Sequence, residues 1–98
     1  MTISSQKTDD ELALLLSGRL DSATSGDLTD YLEKNFTQEV KRLILDFSEV
    51  DFISSRGLRV LVTVYKALNG REMEIRNANT SVKEVLQLSG LLKIFNVK

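Results

Sequence analysis

Two short runs of consecutive apolar residues, Leu12–Leu16 and Leu43–Leu45, stand out from the mixed pattern along the chain. Each is short and bounded by polar residues, which favours a strand covered on both faces, although periodicity alone also allows a helical turn for the first run. The polar, β-branched segment Thr2–Thr8 precedes the first run, and Asp9 and Asp10 between them indicate a turn. The pattern therefore predicts an antiparallel hairpin with Thr2–Thr8 at the sheet edge, and a parallel central strand at Leu43–Leu45.

Apolar residues at helical spacing predict one helix after the run Leu12–Leu16 and another after the run Leu43–Leu45. The first helix is expected to begin near Thr24, because Thr24 and Asp27 have the spacing of a capping box. The second and clearest helix is expected to begin at Ser54–Ser55 and to stop at Asn69–Gly70. Its apolar stripe consists of five residues at helical spacing: Leu58, Leu61, Val62, Tyr65 and Leu68.

The last third of the chain adds a strand, a helix and an apolar tail. Glu72–Arg76 alternates with a period of two, which is typical of a half-exposed strand. A second capping-box spacing, Ser81–Glu84, predicts a helix that ends at Gly90, and the tail Leu91–Val97 is expected to pack against the sheet. The order β-β-α-β-α-β-α plus an apolar C-terminal tail indicates an α/β fold with a mixed, mostly parallel sheet, in one domain over residues 1–98.

Composition narrows the classes of function. The 98 residues carry 13 basic and 14 acidic side chains, a formal net charge of −1, without the basic cluster that nucleic-acid binders or membrane anchors use. Cysteine and histidine are both absent, which excludes disulfides, Cys/His zinc sites, a thiolate nucleophile and a Ser-His-Asp triad. The first residues lack a signal-peptide pattern and no apolar run could span a bilayer. We therefore expect a cytoplasmic domain without cofactor or metal.

The segment Asp46–Arg59 is where this fold would present functional groups, because ligands bind at the carboxyl ends of parallel strands. It is predicted to be a loop leading into the second helix, with Ser54 and Ser55 at the helix start and Gly57 in the first turn. A helical glycine costs about 0.5–1 kcal/mol relative to alanine, which indicates that another backbone or a partner approaches closely. On spacing alone, an N-cap serine and a glycine that relieves crowding are the favoured interpretation.

Several segments resemble one known family. Asp46–Ser48 and Val50–Leu61 are similar to the signature of the STAS domain family, in particular the small stand-alone anti-sigma factor antagonists of bacteria. Gly18–Asp21 resembles the Gly-x-Leu-Asp that follows the second strand in that family, and Val85–Leu91 with Ile94-Phe95 resembles its closing helix and tail. The resemblance extends over nearly the whole chain in the same element order.

The resemblance implies a regulatory module, not an enzyme, that works by partner switching. The unmodified domain would bind an anti-sigma factor, a histidine-kinase-like ATPase that phosphorylates serine, and a PP2C-type phosphatase would reverse the modification. Carried over to this chain, Ser55 is the phosphoacceptor and Ser54 is the second choice. The implied partner-binding residues are Asp21, Ser54, Arg56, Gly57, Leu58 and Arg59.

Physical chemistry is compatible with a phosphate on Ser55. The free amides and positive dipole end of a helix N-terminus stabilise an anion, and Arg56 and Arg59 could donate charge-assisted hydrogen bonds. Asp21 either caps the segment that follows it or contacts the partner. A second apolar stripe on the same helix either contacts the partner or packs within the domain; it consists of Val60, Val64 and Ala67.

Two other functions stay open at this point. The chain could be a STAS scaffold domain of another signalling or transport-associated complex. It could also be a small nucleotide-binding protein or enzyme that uses the Asp46–Arg59 loop, which the absence of a Gly-rich phosphate loop disfavours. The acidic group Asp9–Glu11 is interpreted as a solvated turn and not as a divalent-ion site.

Overall fold

The computed structural model describes residues 1–98 and contains four strands and three helices in the predicted order. The strands are β1 (Thr2–Thr8), β2 (Glu11–Leu20), β3 (Arg42–Ile53) and β4 (Glu72–Arg76). The helices are α1 (Ser25–Asn35), α2 (Ser55–Ala67) and α3 (Thr80–Leu88). The predicted α/β fold class is confirmed. None of the three helices has the length and apolar character needed to cross a lipid bilayer.

The strands form one mixed sheet in the order β1-β2-β3-β4. β1 pairs antiparallel with β2 across a tight turn in which Asp9 has a φ of 53°, so the predicted hairpin with an edge strand is confirmed. β2 pairs parallel with β3, and β3 pairs parallel with β4. The two apolar runs, Leu12–Leu16 and Leu43–Leu45, therefore lie in the two central strands, as predicted.

The expectation of a strand covered on both faces is confirmed for Leu43–Leu45, because Ile44 is only 1% exposed although it points away from the core that contains Leu43 and Leu45. It is wrong for Leu12–Leu16. In β2, Leu12, Leu14 and Leu16 are buried in the core that also contains the apolar residues of all three helices. Ala13 and Leu15, which point to the opposite face, are only half-buried. Alanine and leucine are apolar on either face, so the apolar run could not show that the helices cover a single side.

The other face of the sheet carries a row of charged side chains. Arg42 donates from Nη2 to Glu74 Oε1 at 2.7 Å, its Nε lies 3.2 Å from Glu72 Oε2, and Arg76 also donates to Glu74. The Glu74 side chain is only 2% exposed, so β4 is more buried than its alternating pattern predicted. Burial alone would raise the pKa of Glu74, but the hydrogen bond from Arg76 and the charges of Arg76 and Arg42 hold that pKa below its ordinary value.

α3 begins at a different cap from the one predicted. Asn79 is the N-cap, and its side-chain oxygen accepts a hydrogen bond from the Val82 amide at 2.8 Å, whereas Ser81 lies inside the helix. The Asn79 side-chain amide also donates to the Val50 carbonyl at 3.1 Å. Because this second bond ties the start of α3 to β3, a tertiary contact favours Asn79 over the local capping box at Ser81.

The C-terminal segment packs against the sheet as predicted. α3 is followed by Gly90 at a φ of 73°, after which the chain folds back. Phe95 is fully buried in the core, and Val97 pairs in parallel with Ile75 of β4. The tail therefore covers the β4 edge of the sheet and leaves β1 as the uncovered edge.

The second apolar stripe of α2 packs within the domain only in part: Val64 is buried, Val60 is half-buried and Ala67 is exposed. Val64 is buried and lines a cleft of about 280 Å³ between α1 and α2, together with Leu32 of α1. The hypothesis that Val64 contacts a partner is therefore wrong. In the first stripe Leu61 and Leu68 are buried, whereas Tyr65 is partly exposed and packs its ring 5.7 Å from that of Phe95.

Candidate functional site

The segment Asp46–Arg59 is mostly regular structure, so the predicted loop is wrong. Asp46–Ile53 forms the second half of β3, and Ser54 alone separates that strand from α2. The β2–β3 ladder extends this far because register shifts between Leu15 and Ser17, and between Gly18 and Arg19, keep the two strands paired. The residues that the alternative function of another class would use as a nucleotide-binding or catalytic loop thus lie in β3 and at the start of α2.

Ser54 and Ser55 occupy different positions at the start of α2. Ser54 is the N-cap: its hydroxyl accepts a hydrogen bond from the Gly57 amide at 3.2 Å, and its own amide donates to the Leu20 carbonyl at 3.0 Å. Ser55 is the first helical residue and is exposed. The hydroxyl of Ser54 therefore caps the helix, whereas that of Ser55 faces solvent.

Gly57 allows α2 to approach β2. A Cβ atom at this position would lie 2.3 Å from the Leu20 carbonyl oxygen, a distance that real Cβ atoms essentially never show, and in tight contact with Cγ1 of Ile53 at 3.0 Å. The close approach inferred from the sequence is therefore real, and the neighbour is another backbone of the same chain. Gly57 itself is buried, so its effect on the site is to set the position of α2 relative to β2.

Asp21 organises the turn between β2 and α1. Its Oδ1 accepts hydrogen bonds from the Ala23 amide at 3.0 Å and the Thr24 amide at 3.3 Å, while its Oδ2 lies 3.2 Å from Nε of Arg19. The hydrogen bond from Arg19 is the main reason that the pKa of Asp21 lies below its ordinary value, so the carboxylate is charged at neutral pH. Of the two roles considered for Asp21, the structure shows the cap.

The capping box predicted for α1 is not formed. Thr24 makes no side-chain bond to the helix, because its hydroxyl donates to the Arg19 carbonyl instead. Asp27, its expected partner, lies 3.4 Å from the N-terminal amine of Met1. Thr24 nevertheless occupies the N-cap position, so the predicted helix start near Thr24 is confirmed, with Ser25 as the first helical residue.

Two further residues of this region were missed by the sequence reasoning. Arg19 and Phe52 are register partners across β2 and β3, and the Arg19 guanidinium lies 4.5 Å from the centre of the Phe52 ring. Both residues fall within the segments that resemble the STAS signature. Their pairing depends on strand register and on the shift at Gly18, which no local pattern reveals.

These groups converge because the end of β2 meets the start of α2 through the Ser54–Leu20 hydrogen bond. We define the α2-start surface by the residues that lie there with side chains at least partly accessible: Arg19, Asp21, Phe52, Ser54, Ser55, Arg56, Leu58 and Arg59. It offers an accessible hydroxyl, guanidinium groups and an aromatic ring. Such a surface suits protein recognition and the binding of an anion.

One known protein family matches nearly the whole chain. The model of the STAS domain matches residues 2–98. The chain belongs to the STAS domain family. The resemblance read from the sequence is thus confirmed.

One relative and two solved structures are similar to this STAS domain over nearly its whole length. BtrV of Bordetella bronchiseptica, which carries the name of an anti-sigma factor antagonist, is 34% identical over 99 residues that cover 99% of this chain and 85% of BtrV. The crystal structure of an anti-sigma factor antagonist from Mycobacterium paratuberculosis has a TM-score of 0.87 at 24% identity, covering 98% of this chain and 83% of that one. The Bacillus protein SpoIIAA in its phosphorylated form has a TM-score of 0.76 at 19% identity, covering 99% of this chain and 89% of its own.

Proposed function

We propose that this STAS domain is an anti-sigma factor antagonist that binds an anti-sigma factor through the α2-start surface. The observation that carries the proposal is the exposed Ser55 hydroxyl at the first position of α2, in a chain 34% identical to BtrV. The role implies a cytoplasmic location, because sigma factors act on the transcription machinery there. The domain works by binding and supplies no catalytic group of its own.

Ser55 is the proposed phosphoacceptor, in preference to Ser54. A phosphate on Ser55 would face solvent beside the amides of the first turn, which have no intrahelical partner. It would add a charge of about −1.5 to −2 at the positive end of the α2 dipole. Ser54 uses its hydroxyl as the N-cap, so modification there would remove a bond that holds the helix start. A neighbour of similar fold, SpoIIAA, exists in a phosphorylated form, which supports the tolerance of the fold.

The proposed partner is an anti-sigma factor of the histidine-kinase-like ATPase class, which both binds the domain and phosphorylates it. Release would follow because a dianion at a desolvated interface must be paired or lose its hydration. A PP2C-type phosphatase would restore the binding form. Asp21, Arg56, Leu58 and Arg59 would contribute to the interface, with Gly57 setting the position of α2 beneath them.

The first experiment captures the partner. The tagged wild-type chain is mixed with lysate of the bacterium that encodes it, and bound proteins are identified by mass spectrometry. We expect a histidine-kinase-like ATPase, whose direct binding is then measured with purified proteins. Recovery of only transporter or scaffold components, with no such ATPase, would contradict the proposed function and favour a scaffold role.

The second experiment maps the modification. The captured kinase and Mg-ATP should label wild-type chain and Ser54→Ala, but not Ser55→Ala, and peptide mass spectrometry should place the phosphate on Ser55. Because Ser54→Ala removes an N-cap worth about 1 kcal/mol, its folding is checked by circular dichroism. Label on Ser55→Ala at Ser54 would move the site by one residue.

The third experiment tests the switch. Ser55→Ala should bind the partner like wild type, and Ser55→Asp should fold normally yet bind at least about tenfold more weakly, which corresponds to about 1.4 kcal/mol. Calorimetric titration of both variants measures the difference. Equal affinity of the two variants, combined with equal affinity of the enzymatically phosphorylated protein, would eliminate the switch.

A further inference from the structure

Arg19 is held in place on the α2-start surface by two contacts. Its Nε donates to Asp21 Oδ2 at 3.2 Å, and its guanidinium carbon lies 4.5 Å from the centre of the Phe52 ring. Its two terminal nitrogens take part in no hydrogen bond or ion pair within the chain. The Arg19 side chain is 61% exposed, so its two terminal nitrogens are accessible to a binding partner as hydrogen-bond donors. This is the fork geometry that matches a carboxylate.

Phe52 is a large apolar side chain with 41% of its surface exposed. The other large exposed apolar residues lie elsewhere, on the second half of α2, at the end of α3 and in the tail: Tyr65, Leu88 and Ile94. Phe52 alone among them lies close in the chain to the proposed phosphoacceptor Ser55, which follows it by three residues. An aromatic ring stacked with an arginine is the composition of interface hot spots, and its rigidity lowers the entropy lost on binding.

The remaining charges near this pair favour an acidic partner. Arg56 and Arg59 are exposed and form no ion pair within the chain, and Asp21 is engaged by Arg19. Glu49 and Asp51 are exposed carboxylates on the adjoining part of β3, outside the α2-start surface. Within the α2-start surface as defined above, three guanidinium groups therefore lie with one carboxylate, that of Asp21, although the whole chain has a net charge of −1. Charge complementarity selects a carboxylate on the partner.

We propose that the Arg19–Phe52 pair is an anchor that recognises an Asp or Glu side chain of the anti-sigma factor, with the terminal nitrogens of Arg19 donating to its carboxylate and Phe52 contacting apolar surface beside it. The inference rests on the proposed function and adds the chemistry of the partner. A phosphate on Ser55 would bring negative charge to the same surface and repel that carboxylate. The anchor therefore also explains why phosphorylation weakens binding.

The test measures affinity for the anti-sigma factor captured with the wild-type chain. Arg19→Glu and Phe52→Ala should each weaken binding at least about tenfold, and Arg19→Gln by roughly fivefold or more. Arg19→Gln keeps a donor for Asp21, so it separates binding from any disturbance of the turn. Matched controls are Lys83→Glu, a charge reversal on α3, and Leu88→Ala, a truncation of a side chain that is 89% exposed. Both controls should stay within about twofold of wild type.

Two further measurements identify the carboxylate. The affinity of Arg19→Gln should depend less steeply on salt concentration than that of wild type, because one charge pair is missing. Lysine substitutions at acidic positions of the partner should include one that weakens wild-type binding and restores binding to Arg19→Glu.

The outcomes separate this inference from the proposed function. If the wild-type chain binds the anti-sigma factor but Arg19→Glu and Phe52→Ala bind equally well, the anchor is wrong and the function stands. If the variants bind weakly but no acidic position of the partner gives restoration, the recognition of a carboxylate is overturned. If the wild-type chain binds no anti-sigma factor, the function and the anchor both fall.

Discussion

Gly57 brings the backbone of α2 closer to β2 than any side chain allows. In Gly57→Ala the new Cβ would lie 2.3 Å from the Leu20 carbonyl oxygen, so helix and strand must separate. We expect the free energy of unfolding to fall by about 2 kcal/mol or more, although alanine favours a helix by about 1 kcal/mol. Urea denaturation followed by circular dichroism measures the change. Binding of the partner should also weaken, because the α2-start surface is displaced.

The matched control for this prediction is Gly26→Ala in α1. No atom lies within 4 Å of a Cβ built at Gly26, so only the helix propensity changes. We expect the free energy of unfolding to rise by about 0.5–1 kcal/mol. If both alanine variants were stabilised alike, the contact between Gly57 and Leu20 would not be as tight as the structure has it.

The start of α3 distinguishes a local from a tertiary cap. Asn79→Ala removes the bond to the Val82 amide and the bond to the Val50 carbonyl, so α3 loses both its cap and its link to β3. We expect a loss of about 1–2 kcal/mol in the free energy of unfolding. Thermal and urea denaturation should agree on this value.

Ser81→Ala is the corresponding control, because Ser81 has the capping-box spacing but lies inside α3. Its effect should be smaller than about 0.5 kcal/mol, since serine and alanine differ little in an exposed helical position apart from propensity. A larger loss for Ser81→Ala than for Asn79→Ala would mean that the capping box forms after all.

On the face of the sheet that no helix covers, charge pairs centred on Glu74 connect β3, β4 and the C-terminal Lys98. In Glu74→Gln the partners Arg42 and Arg76 lose their buried carboxylate. We expect the free energy of unfolding at neutral pH to fall by about 1–2 kcal/mol, less than for a fully buried pair because both arginines stay partly exposed. Denaturant titration at pH 7 measures this loss.

The free energy of unfolding lost in Glu74→Gln should become smaller as the pH falls. The pKa of Glu74 is lower in the folded chain than its ordinary value of 4.5, so its stabilising effect is complete above that value and disappears as the pH falls through the folded pKa. The difference between wild type and Glu74→Gln should therefore be constant above about pH 5.5 and narrow on acidification below the ordinary pKa.

Glu72→Gln provides the control on the same strand and face. Its side chain is 72% exposed and also pairs with Arg42, so we expect a change below about 0.5 kcal/mol that added salt removes. A difference between wild type and Glu74→Gln that did not vary from neutral to acid pH would contradict the lowered pKa of Glu74.

Much of this fold could be predicted from local patterns. The runs Leu12–Leu16 and Leu43–Leu45 located the two central strands, and the helical periodicity before Asn69–Gly70 located α2. The serine pair at 54–55 located the candidate site through its motif. These features succeed because strand and helix periods, and the residues that punctuate them, act over a few positions of the chain.

The features that failed each depend on residues far apart in the chain. The extension of β3 to Ile53 follows from its ladder with β2, and the choice of Asn79 over Ser81 follows from a bond to β3. The burial of Glu74 as a charged group needs Arg42 from the neighbouring strand, 32 positions away in the chain. In each case the two contacting residues lie too far apart in the chain for a local sequence pattern to include both, so the pattern could not predict the contact.

The sequence by itself determined the order of the elements, the apolar residues available for a core, and the pair of serines at the start of α2. The tertiary structure decided which serine is accessible, because Ser54 bonds to Gly57 and Leu20 while Ser55 is left exposed. It also decided that Arg19 meets Phe52 beside them. The physical reason is that register and hydrogen-bond competition between distant segments, not local propensity, select the partner of each polar group.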